Sequence, residues 1–455
     1  MLNQCFPQTT PSSRRSSLES IYQFNMNRQG YLGRGSYGKV FRGVHRITRK
    51  AVAIKVIESS FSDPIDIKRL FREISALRIL KEHPNIVSLE YAAASATGST
   101  INEIDLVFER YATDLDQIIR SRQTLSIEHI QFFLYQILCG IHYVHSAKLV
   151  HRDLKPSNIL TNADCHIAIC DFGLARTTEV MEETNPPASI APPRLCRDLT
   201  DYVVTRWYRS PELLLQCRGA GAAQTDMWSI GCILAELLLG EPLFPGESGQ
   251  EVINLILNLI GTPEEHNCEW INNIDGRHYV THYPKMPGQN FQEKFTKANG
   301  PVLDLLAKLL EFNPTKRITA EQALQHPFFA SLFNSQDVLT FPLQPRSAID
   351  QSASDSYHQF ETQLEDAHGH LSVEITRRAR KLILEEIDRY RLETSPTLTA
   401  LTVPGPNTSA SNDIADPASA VASSSPSTLF YFDSRKAQVP STAVDTQNEL
   451  SKKNS

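Results

Sequence analysis

The chain has 455 residues, of which 41% are hydrophobic, and it carries a formal net charge of −6. Such a length allows two or three domains, and such a hydrophobic content is enough for a sizeable buried core. Because both signs of charge are well mixed, no global field attracts the chain to nucleic acid or anionic lipid, and we expect neither as a partner.

The terminal sequence and the cysteines indicate where in the cell the protein is expected. No stretch has the apolar length of a membrane span, and the polar N-terminal residues lack the apolar centre of a signal peptide. The eight cysteines include no C-x-x-C pair, which favours reduced thiols over a disulfide framework or a zinc site. We therefore expect a protein of the cytoplasm, the nucleus or both, with no membrane partner.

Composition changes sharply near both ends of the chain. Residues 1–20 are rich in Ser, Thr, Pro and Gln, and residues 393–455 are rich in Ser, Thr, Pro, Ala and Asn. Neither segment can bury enough apolar area to offset the entropy of ordering, so we expect both to be disordered.

Between these ends the sequence predicts a β-rich first part and a mostly helical second part. Apolar residues at helical spacing predict a helix over Ile65–Lys81, inside an otherwise β-rich first part. The strand patterns of that part cover Tyr31–Val44 (strand, glycine turn, strand), Ala51–Ile57, Ile86–Tyr91 and Ile104–Glu109. Residues 113–330 are mostly helical, and the range Gln224–Leu239 is apolar almost all round, which is typical of a buried helix.

The first chemical motif is the glycine turn from Gly33 to Val40, which reads G-x-G-x-x-G-x-V. Glycines allow backbone N–H groups to approach phosphate oxygens where a Cβ atom would clash. A dinucleotide-binding fold needs a helix directly after such a turn, whereas this chain continues as a strand. The glycines therefore cap a hairpin. Alone they indicate a phosphate site only weakly, since many glycine turns are only turns.

A lysine, Lys55, follows inside an apolar strand. Its burial is costly unless a negative charge matches it, and Glu73 on the predicted helix or the phosphates of ATP could supply that charge. The alternative is a lysine that snorkels from an edge strand. Its position 17 residues after Gly38, just before a helix with an inward glutamate, favours phosphate binding.

The segment His151–Asn158 places an acid, a base and an amide in one loop. Asp153 can accept the proton of an attacking hydroxyl, and Lys155 can neutralise a moving phosphoryl group. Asn158 and Asp171, the first residue of an Asp-Phe-Gly sequence, offer oxygens to a hard cation. Any one of these residues could be an ordinary loop residue, but the whole set in this order favours phosphoryl transfer.

These motifs resemble the protein kinase family over about residues 22–330, and the resemblance implies for their residues the roles that the family's motifs have. Further matches are Ser210-Pro211-Glu212 for the family's A-P-E element and Asp226–Ser229 in the buried helix, with Arg317 as the expected ion-pair partner of Glu212. The resemblance implies transfer of the γ-phosphate of ATP, with Mg²⁺, to Ser or Thr hydroxyls of proteins.

The resemblance also implies an α+β, bilobal protein kinase fold. Residues 21–112 would form a small β-rich N-lobe with one main helix. Residues 113–330 would form a larger helical C-lobe that includes the activation segment and an insert. Residues 331–392 would form a C-terminal extension with a helix.

Site roles follow from the resemblance residue by residue. The catalytic set is Lys55, Glu73, Asp153 and Lys155. The Mg²⁺ ligands are Asn158 and Asp171. Phe108 is expected to close the back of the adenine pocket. The predicted ATP-binding residues are Leu32, Gly33, Arg34, Gly35, Ser36, Tyr37, Gly38, Lys39, Val40, Ala53, Lys55, Phe108, Glu109, Tyr111 and Asp114.

The segment from Thr200 to Arg209, TDYVVTRWYR, is similar to the activation segment of mitogen-activated protein kinases. The insert at about residues 241–300 is also close to that group. The resemblance implies phosphorylation of Thr200 and Tyr202 by an upstream dual-specificity kinase, reversal by phosphatases, and protein substrates in which Pro follows the acceptor residue. A monomer is expected.

The physical chemistry of the sequence supports such a switch. A phosphate on Thr200 adds nearly two negative charges and needs arginines to bind it. Arg69, Arg72 and Glu73 share one face of their helix, so docking on that face would draw Glu73 towards Lys55. The predicted phosphate-docking residues are Arg69, Arg72, Arg152 and Arg176, with Arg206 and Arg209 near phosphorylated Tyr202.

The sequence departs from the family in two places. The stretch Thr177–Leu199 is longer than in most members and carries four prolines. The acidic patch that the family places after its last kinase helix is thin, because only Asn334 and Asp337 stand there, and this puts the docking of basic partner motifs in doubt.

A stripe of apolar residues at helical spacing covers residues 371–390 and includes Ile375, Ala379, Leu382, Ile383 and Ile387. It resembles the family's C-terminal extension, which returns to the small lobe. The alternative is a free amphipathic helix for another partner.

Two rival functions use the same motifs. A cyclin-dependent kinase would show a P-S-T-A-I-R-E-like run before Glu73, where this chain has DIKRLFRE. A pseudokinase that acts as a scaffold would have lost Lys55, Asp153, Asn158 or Asp171, and none is lost. The sequence therefore favours an active kinase.

Overall fold

The computed structural model of the chain describes residues 15–35, 38–58, 64–81, 83–97, 100–178, 205–217, 221–298, 300–332, 357 and 373–394. Some predicted features lie outside these ranges. They are Ser36 and Tyr37 of the glycine turn, the phosphorylation sites Thr200 and Tyr202, Asn334 and Asp337, and residues 1–14 and 395–455 of the two ends that were predicted to be disordered.

The strands of the described part are β1 (Tyr22–Phe24), β2 (Tyr31–Arg34), β3 (Lys39–His45), β4 (Ala51–Ile57), β5 (Leu89–Thr97), β6 (Thr100–Glu109), β7 (Thr113–Asp114), β8 (Leu149–Val150), β9 (Ile159–Thr161), β10 (Ile167–Ile169) and β11 (Arg176–Thr177). The helices are α1 (Arg15–Ile21), α2 (Pro64–Ile79), α3 (Leu115–Arg120), α4 (Ile127–Ser146), α5 (Pro211–Leu214), α6 (Gln224–Leu239), α7 (Gly249–Ile260), α8 (Ile274–Thr281), α9 (Phe291–Lys294), α10 (Gly300–Leu309), α11 (Ala320–Leu324) and α12 (Val373–Thr394). The division into a β-rich first part and a helical second part is that of a bilobal α+β kinase fold, as predicted.

The first part is built on an antiparallel sheet in the order β1-β3-β4-β6-β5, with β2 paired to β3. Val40 lies opposite Lys55, and Ala53 lies opposite Phe108. Directly opposed residues, and residues two apart on one strand, share a face of the sheet. These four side chains therefore lie on one face, and that face carries the predicted ATP-binding residues.

The other face of the sheet is covered by α1. Leu18 of α1 and Tyr22 of β1 pack with Phe41 and Ile54 in a separate apolar cluster, and Leu18 is only 1% exposed. The prediction that residues 1–20 are disordered is therefore wrong for residues 15–20. Burial of a leucine against the sheet contributes about 2 kcal/mol, and a composition rule cannot foresee a surface that the rest of the chain supplies.

The prediction of a strand over Ile86–Tyr91 is wrong at its beginning, because β5 starts at Leu89. The backbone N–H of Val87 donates to the carbonyl of Ile169 in β10, and the N–H of Ile169 donates to the carbonyl of Asn85. This β-branched segment therefore joins the first part of the fold to the second instead of extending the sheet.

The helical part is packed around α4 and α6. α6 begins and ends at the predicted residues, and its side chains from Thr225 to Leu238 are buried. It ends at Gly240, whose φ of 81° is a conformation that favours glycine. None of the helices in the described ranges combines the length and apolar character that crossing a membrane requires.

The C-terminal helix α12 packs on α2 and β5 of the first part, as the resemblance predicted. Ala379, Ile383 and Ile387 are buried there, and Leu382 is partly buried. Glu386 forms a buried ion pair with Arg78 of α2 at 2.6 Å. The alternative of a free helix is wrong, because this apolar stripe is already covered.

Candidate active site

The central ion pair of the site joins Lys55 of β4 to Glu73 of α2. The Lys55 Nζ lies 2.8 and 2.9 Å from the two carboxylate oxygens, and both side chains are buried. Burial acts to lower the pKa of Lys55, but the charges of Glu73 and Asp171 raise it more, so the ammonium keeps its charge. The predicted contact is confirmed, and the snorkelling alternative is wrong.

The glycine turn joins the paired strands β2 and β3. Gly33 pairs with Val40, and the N–H of Gly35 donates to the carbonyl of Gly38 at 2.8 Å. A Cβ atom at Gly38 would lie 2.6 Å from the carbonyl oxygen of Val56, so only glycine fits there without a shift of the backbone. A Cβ at Gly33 would meet open space, which leaves the backbone there accessible to a phosphate.

The remaining predicted ATP-site residues surround the cleft face of the sheet. Phe108 is half-buried beside Ala53, and Leu32 and Arg34 are exposed on β2. Lys39 forms an exposed ion pair with Glu58 at 3.5 Å.

Two residues at or near the hinge, the segment Glu109–Tyr111 where β6 leads into the helical part, have structural partners of their own. The Asp114 carboxylate accepts the N–H of Gln117 and caps α3. The Glu109 carboxylate lies 3.5 Å from the Nζ of Lys50. Side-chain contacts of these residues with a nucleotide therefore stay predictions.

The catalytic loop brings its three polar residues together. The Lys155 Nζ lies 2.7 Å from Asp153 Oδ2, and Asn158 Nδ2 donates to the Asp153 carbonyl and carboxylate at 2.8 and 3.2 Å. Burial raises the pKa of Asp153, Lys155 opposes the rise, and the nearby carboxylate of Asp171 adds to it. This environment suits a carboxylate that accepts a proton during the reaction.

Asp171 completes the arrangement. Its backbone has a φ of 65°, a strained conformation for an aspartate, and the next residue, Phe172, is buried edge-on against His151 with ring centroids 4.8 Å apart. Because Asn158 donates through Nδ2, its Oδ1 remains the atom suited to a cation. The carboxylate of Asp171 lies close enough to raise the pKa of Asp153, in the same loop as Asn158. These oxygen donors fit Mg²⁺.

The residue that holds this loop is Asp226 of α6, a role that the sequence reasoning missed. Its carboxylate accepts the N–H groups of His151 and Arg152 at 2.9 and 2.8 Å, and His145 Nε2 lies 2.9 Å away. Burial acts to raise the pKa of Asp226, but these hydrogen bonds, that from His145 foremost, lower it overall. A fully buried aspartate at a helix start was the available signal, because such a charge requires donors.

The predicted phosphate-docking arginines lie on several elements. Arg69 and Arg72 are buried on α2, and Arg176 of β11 pairs with Val150, two residues before Arg152. Arg206 and Arg209 are partly buried, and the N–H of Arg209 donates to the carbonyl of Arg206. The structure therefore places Arg152 and Arg176 close in space. Their role towards a phosphate stays a prediction.

The ion pair predicted between Glu212 and Arg317 is confirmed. Arg317 binds both carboxylate oxygens, at 2.7 and 3.0 Å, and both side chains are buried. The ion pair connects α5, which contains Glu212, to the segment between α10 and α11, which contains Arg317. A second missed residue is Tyr357, which is fully buried and reaches the carbonyl of Ala175. No local sequence pattern marks it, because its partners are far away in the chain.

Comparisons with known proteins agree with this geometry. The protein kinase domain model matches residues 26–329. Mitogen-activated protein kinase homolog NTF6 of Nicotiana tabacum is 45% identical over 313 residues, which cover 68% of this chain and 80% of the relative. Mitogen-activated protein kinase 5 of Arabidopsis thaliana is 45% identical over 306 residues, which cover 67% and 77%. The chain therefore belongs to the mitogen-activated protein kinase family and is a protein serine/threonine kinase.

Proposed function

We propose that this kinase phosphorylates Ser or Thr residues followed by Pro, and that phosphorylation of its own Thr200 and Tyr202 turns it on. The observation that supports the proposal most is the buried Lys55–Glu73 pair beside the acids of the catalytic loop. That pair links α2, which also carries Arg69 and Arg72, to the predicted phosphate site.

In the proposed reaction, Lys55 would hold the phosphates of ATP. Asn158 and Asp171 would hold Mg²⁺, which would supply positive charge to neutralise the phosphates. Asp153 orients the substrate hydroxyl and accepts its proton. Lys155, already 2.7 Å from Asp153, stabilises the charge of the transferring phosphoryl group. The glycine turn covers the phosphates with backbone N–H groups.

The proposed switch acts through α2. A phosphothreonine at position 200 would form charge-assisted hydrogen bonds with Arg72, Arg152 and Arg176. Arg72 precedes Glu73 directly on the helix, so the phosphate would stabilise the position of α2 in which Glu73 contacts Lys55. The upstream enzyme in this proposal is a dual-specificity kinase, and phosphatases reverse the modification.

The proposed preference for proline depends on Arg206. When Arg206 turns towards phosphorylated Tyr202, the backbone at 203–206 would present a shallow apolar surface to the residue after the acceptor. A residue with an N–H group would bury an unpaired donor there, at a cost of about 1–3 kcal/mol. Proline has no N–H group and avoids that cost.

The proposal is tested by mapping phosphorylation sites in the active protein by mass spectrometry, together with the Asp171→Ala variant. Phosphate at both Thr200 and Tyr202 in the active wild type supports the switch. If the same sites are filled in Asp171→Ala purified from the same cells, an upstream kinase is responsible. Full activity of a protein with neither residue phosphorylated would contradict the switch.

A further inference from the structure

A cavity of about 390 Å³ lies where the loop after α2, the hinge and the β9–β10 turn meet α12. We call it the hinge-back cavity and define it by Leu80, His83, Glu109, Asp164 and Tyr390. Of the predicted ATP-site residues that the structure describes, only Glu109 and Tyr111 line it. It is therefore separate from the phosphate-binding cleft, and the kinase reaction gives it no role.

The apolar part of the lining comes from α2 and the residues that follow it. Leu77, Leu80, Ile86 and Leu89 all line the cavity and are otherwise buried. A surface of this kind binds aliphatic or aromatic side chains, because each one removed from water contributes about 1.5–3 kcal/mol. The apolar lining alone does not say which occupant it takes.

The polar part of the lining includes a buried donor that has no hydrogen-bond partner among the described residues. His83 is 4% exposed, and its Nδ1 accepts the N–H of Asn85 at 3.1 Å, so its Nε2 carries the hydrogen. Within the described ranges, Nε2 has no hydrogen-bond partner. Burial lowers the pKa of His83 to about 4, so the ring is neutral near pH 7. Because an unpaired buried donor costs about 1–3 kcal/mol, an occupant that offers an acceptor is favoured.

The rim of the cavity is acidic. Glu109 and Asp164 line it with carboxylates, against the single ammonium of Lys81. The Glu109 carboxylate forms an ion pair with Lys50, which also pairs with Glu90. Asp164 is exposed and forms no ion pair among the described residues. The occupant should therefore carry positive charge next to its apolar part.

The chain itself contains a segment with these properties. After α12 ends at Thr394, all aromatic residues of the remaining sequence lie at positions 430–432, in the run LFYFDSRK from Leu429 to Lys436. Two basic residues, Arg435 and Lys436, follow the aromatic ones after Asp433 and Ser434, so the run carries a net charge of +1. Elsewhere the sequence after Thr394 is dominated by Ser, Thr, Pro and Ala, which offer no comparable anchor.

The geometry also allows this segment to reach the cavity. Tyr390, which lines the cavity, stands only four residues before the end of α12. Thr394 and Leu429 are 35 residues apart in the sequence, and a flexible chain of that length has a typical end-to-end distance of about 30 Å. A tethered segment at that distance has an effective concentration on the order of millimolar, so even a weak site would be filled.

We propose that residues 429–436 of this chain bind in the hinge-back cavity of the same molecule. The aromatic side chains pack on Leu77 of α2 and on Leu80, which follows it. A backbone carbonyl or the Tyr431 hydroxyl accepts the Nε2–H of His83, and the basic pair lies near Asp164. The cavity is thus an intramolecular docking site behind the nucleotide pocket.

The test uses the full-length chain and a fluorescein-labelled peptide of residues 427–438. In wild type the tethered segment competes with the peptide, and in the F430A/Y431A/F432A variant it does not. We expect the peptide to bind the triple variant about tenfold or more tightly than wild type by fluorescence anisotropy. Exchange of backbone amides over residues 83–89 should also be faster in the triple variant.

Cavity variants are then made in the triple-variant background. Asp164→Lys and Ser88→Arg change exposed residues of the cavity rim, so both proteins should fold, and each should weaken peptide binding about fivefold or more. Glu241→Lys, an equal charge change on an exposed residue elsewhere, is the matched control and should leave binding unchanged.

Equal peptide affinity in wild type and triple variant would show that the segment does not occupy the cavity in the native chain. If Asp164→Lys and Ser88→Arg leave the peptide affinity unchanged, the peptide binds at another site. Either result overturns the proposal, as does an absence of binding to the triple variant. Since the readout is binding, none of these results bears on the kinase reaction.

Discussion

The hydroxyl of Tyr357 donates a 2.7 Å hydrogen bond to the backbone carbonyl of Ala175, four residues after Asp171. Its ring stacks on Phe71 of α2, with centroids 6.2 Å apart and planes 17° from parallel. Phe71 stands two residues before Glu73. One side chain from the C-terminal extension therefore contacts both the helix that carries Glu73 and the segment that follows Asp171.

We expect Tyr357→Phe to weaken this link without emptying the apolar site. Loss of one buried hydrogen bond should lower the free energy of unfolding by about 1 kcal/mol. Because the bond also fixes the backbone after Asp171, kcat should fall several-fold while the KM for the protein substrate changes little.

The matched control for Tyr357→Phe is Tyr283→Phe, which removes the hydrogen bond to Asn258 in the helical part. Thermal unfolding should show a small loss of stability in both variants, and steady-state kinetics should show a lower kcat only for Tyr357→Phe. Equal kcat in the two variants would reduce Tyr357 to a purely structural residue.

Asp171→Ala and Lys55→Met should each abolish measurable phosphate transfer. Both side chains act on charge that develops at the phosphates, and such electrostatic contributions are worth about 3 kcal/mol or more per group. The two variants should differ in stability, because Lys55→Met removes one partner of the buried ion pair with Glu73, at a cost of about 3–5 kcal/mol.

Transfer is measured with radiolabelled ATP, and folding by circular dichroism. Lys308→Met, which removes an exposed lysine paired with Asp304, serves as the control and should keep full activity. Wild-type activity in Asp171→Ala or Lys55→Met would overturn the roles given to these residues.

Phe108→Gly should admit bulky adenine analogues. Phe108 lies opposite Ala53 on the cleft face of the sheet, where the chain passes into the hinge. Removal of its ring opens space behind the predicted adenine site. The measurement is inhibition by adenine analogues with large substituents, and an active Phe108→Gly enzyme that resists all of them would mean that the pocket is placed wrongly.

Glu236 should make the stability of the protein depend on pH near neutrality. Burial raises the pKa of Glu236 to about 7, although its carboxylate accepts the hydroxyl of Tyr208 at 2.7 Å and so is partly stabilised. The charge of Asp116 adds to the rise, and that of Arg120 opposes it. The folded protein therefore binds a proton that the unfolded chain releases above pH 4.5.

It follows that the stability contributed by protonated Glu236 is fully present below the unfolded pKa and is lost as pH rises through about 7. The loss should amount to at most about 3 kcal/mol. Glu236→Gln keeps an acceptor for Tyr208 and removes the titration. Denaturant unfolding at pH 6 and pH 8 should show the variant gaining stability relative to wild type at pH 8. An unchanged difference would exclude the titration.

The elements that local patterns define were predicted well. The bounds of β4 and α6 agree with the sequence patterns residue for residue, because strand alternation and an apolar helix are encoded within each segment. The Lys55–Glu73 pair was also predictable, since a charge in an apolar strand needs a partner.

The parts that were missed depend on distant contacts. α1 is ordered only because Leu18 has a sheet to cover, and the strand after Asn85 is interrupted because Ile169 binds its backbone. Asp226 acts on N–H groups of a loop that lies 75 residues earlier. No window of neighbouring residues contains that information.

The central claim is a proline-directed kinase that two phosphates turn on. It is tested most directly by kcat/KM for matched Ser-Pro and Ser-Ala peptides, measured with enzyme phosphorylated on both Thr200 and Tyr202 and with unphosphorylated enzyme. We expect about a tenfold or greater preference for Ser-Pro, and only in the doubly phosphorylated enzyme. Equal kcat/KM for the two peptides in the doubly phosphorylated enzyme would contradict the claim.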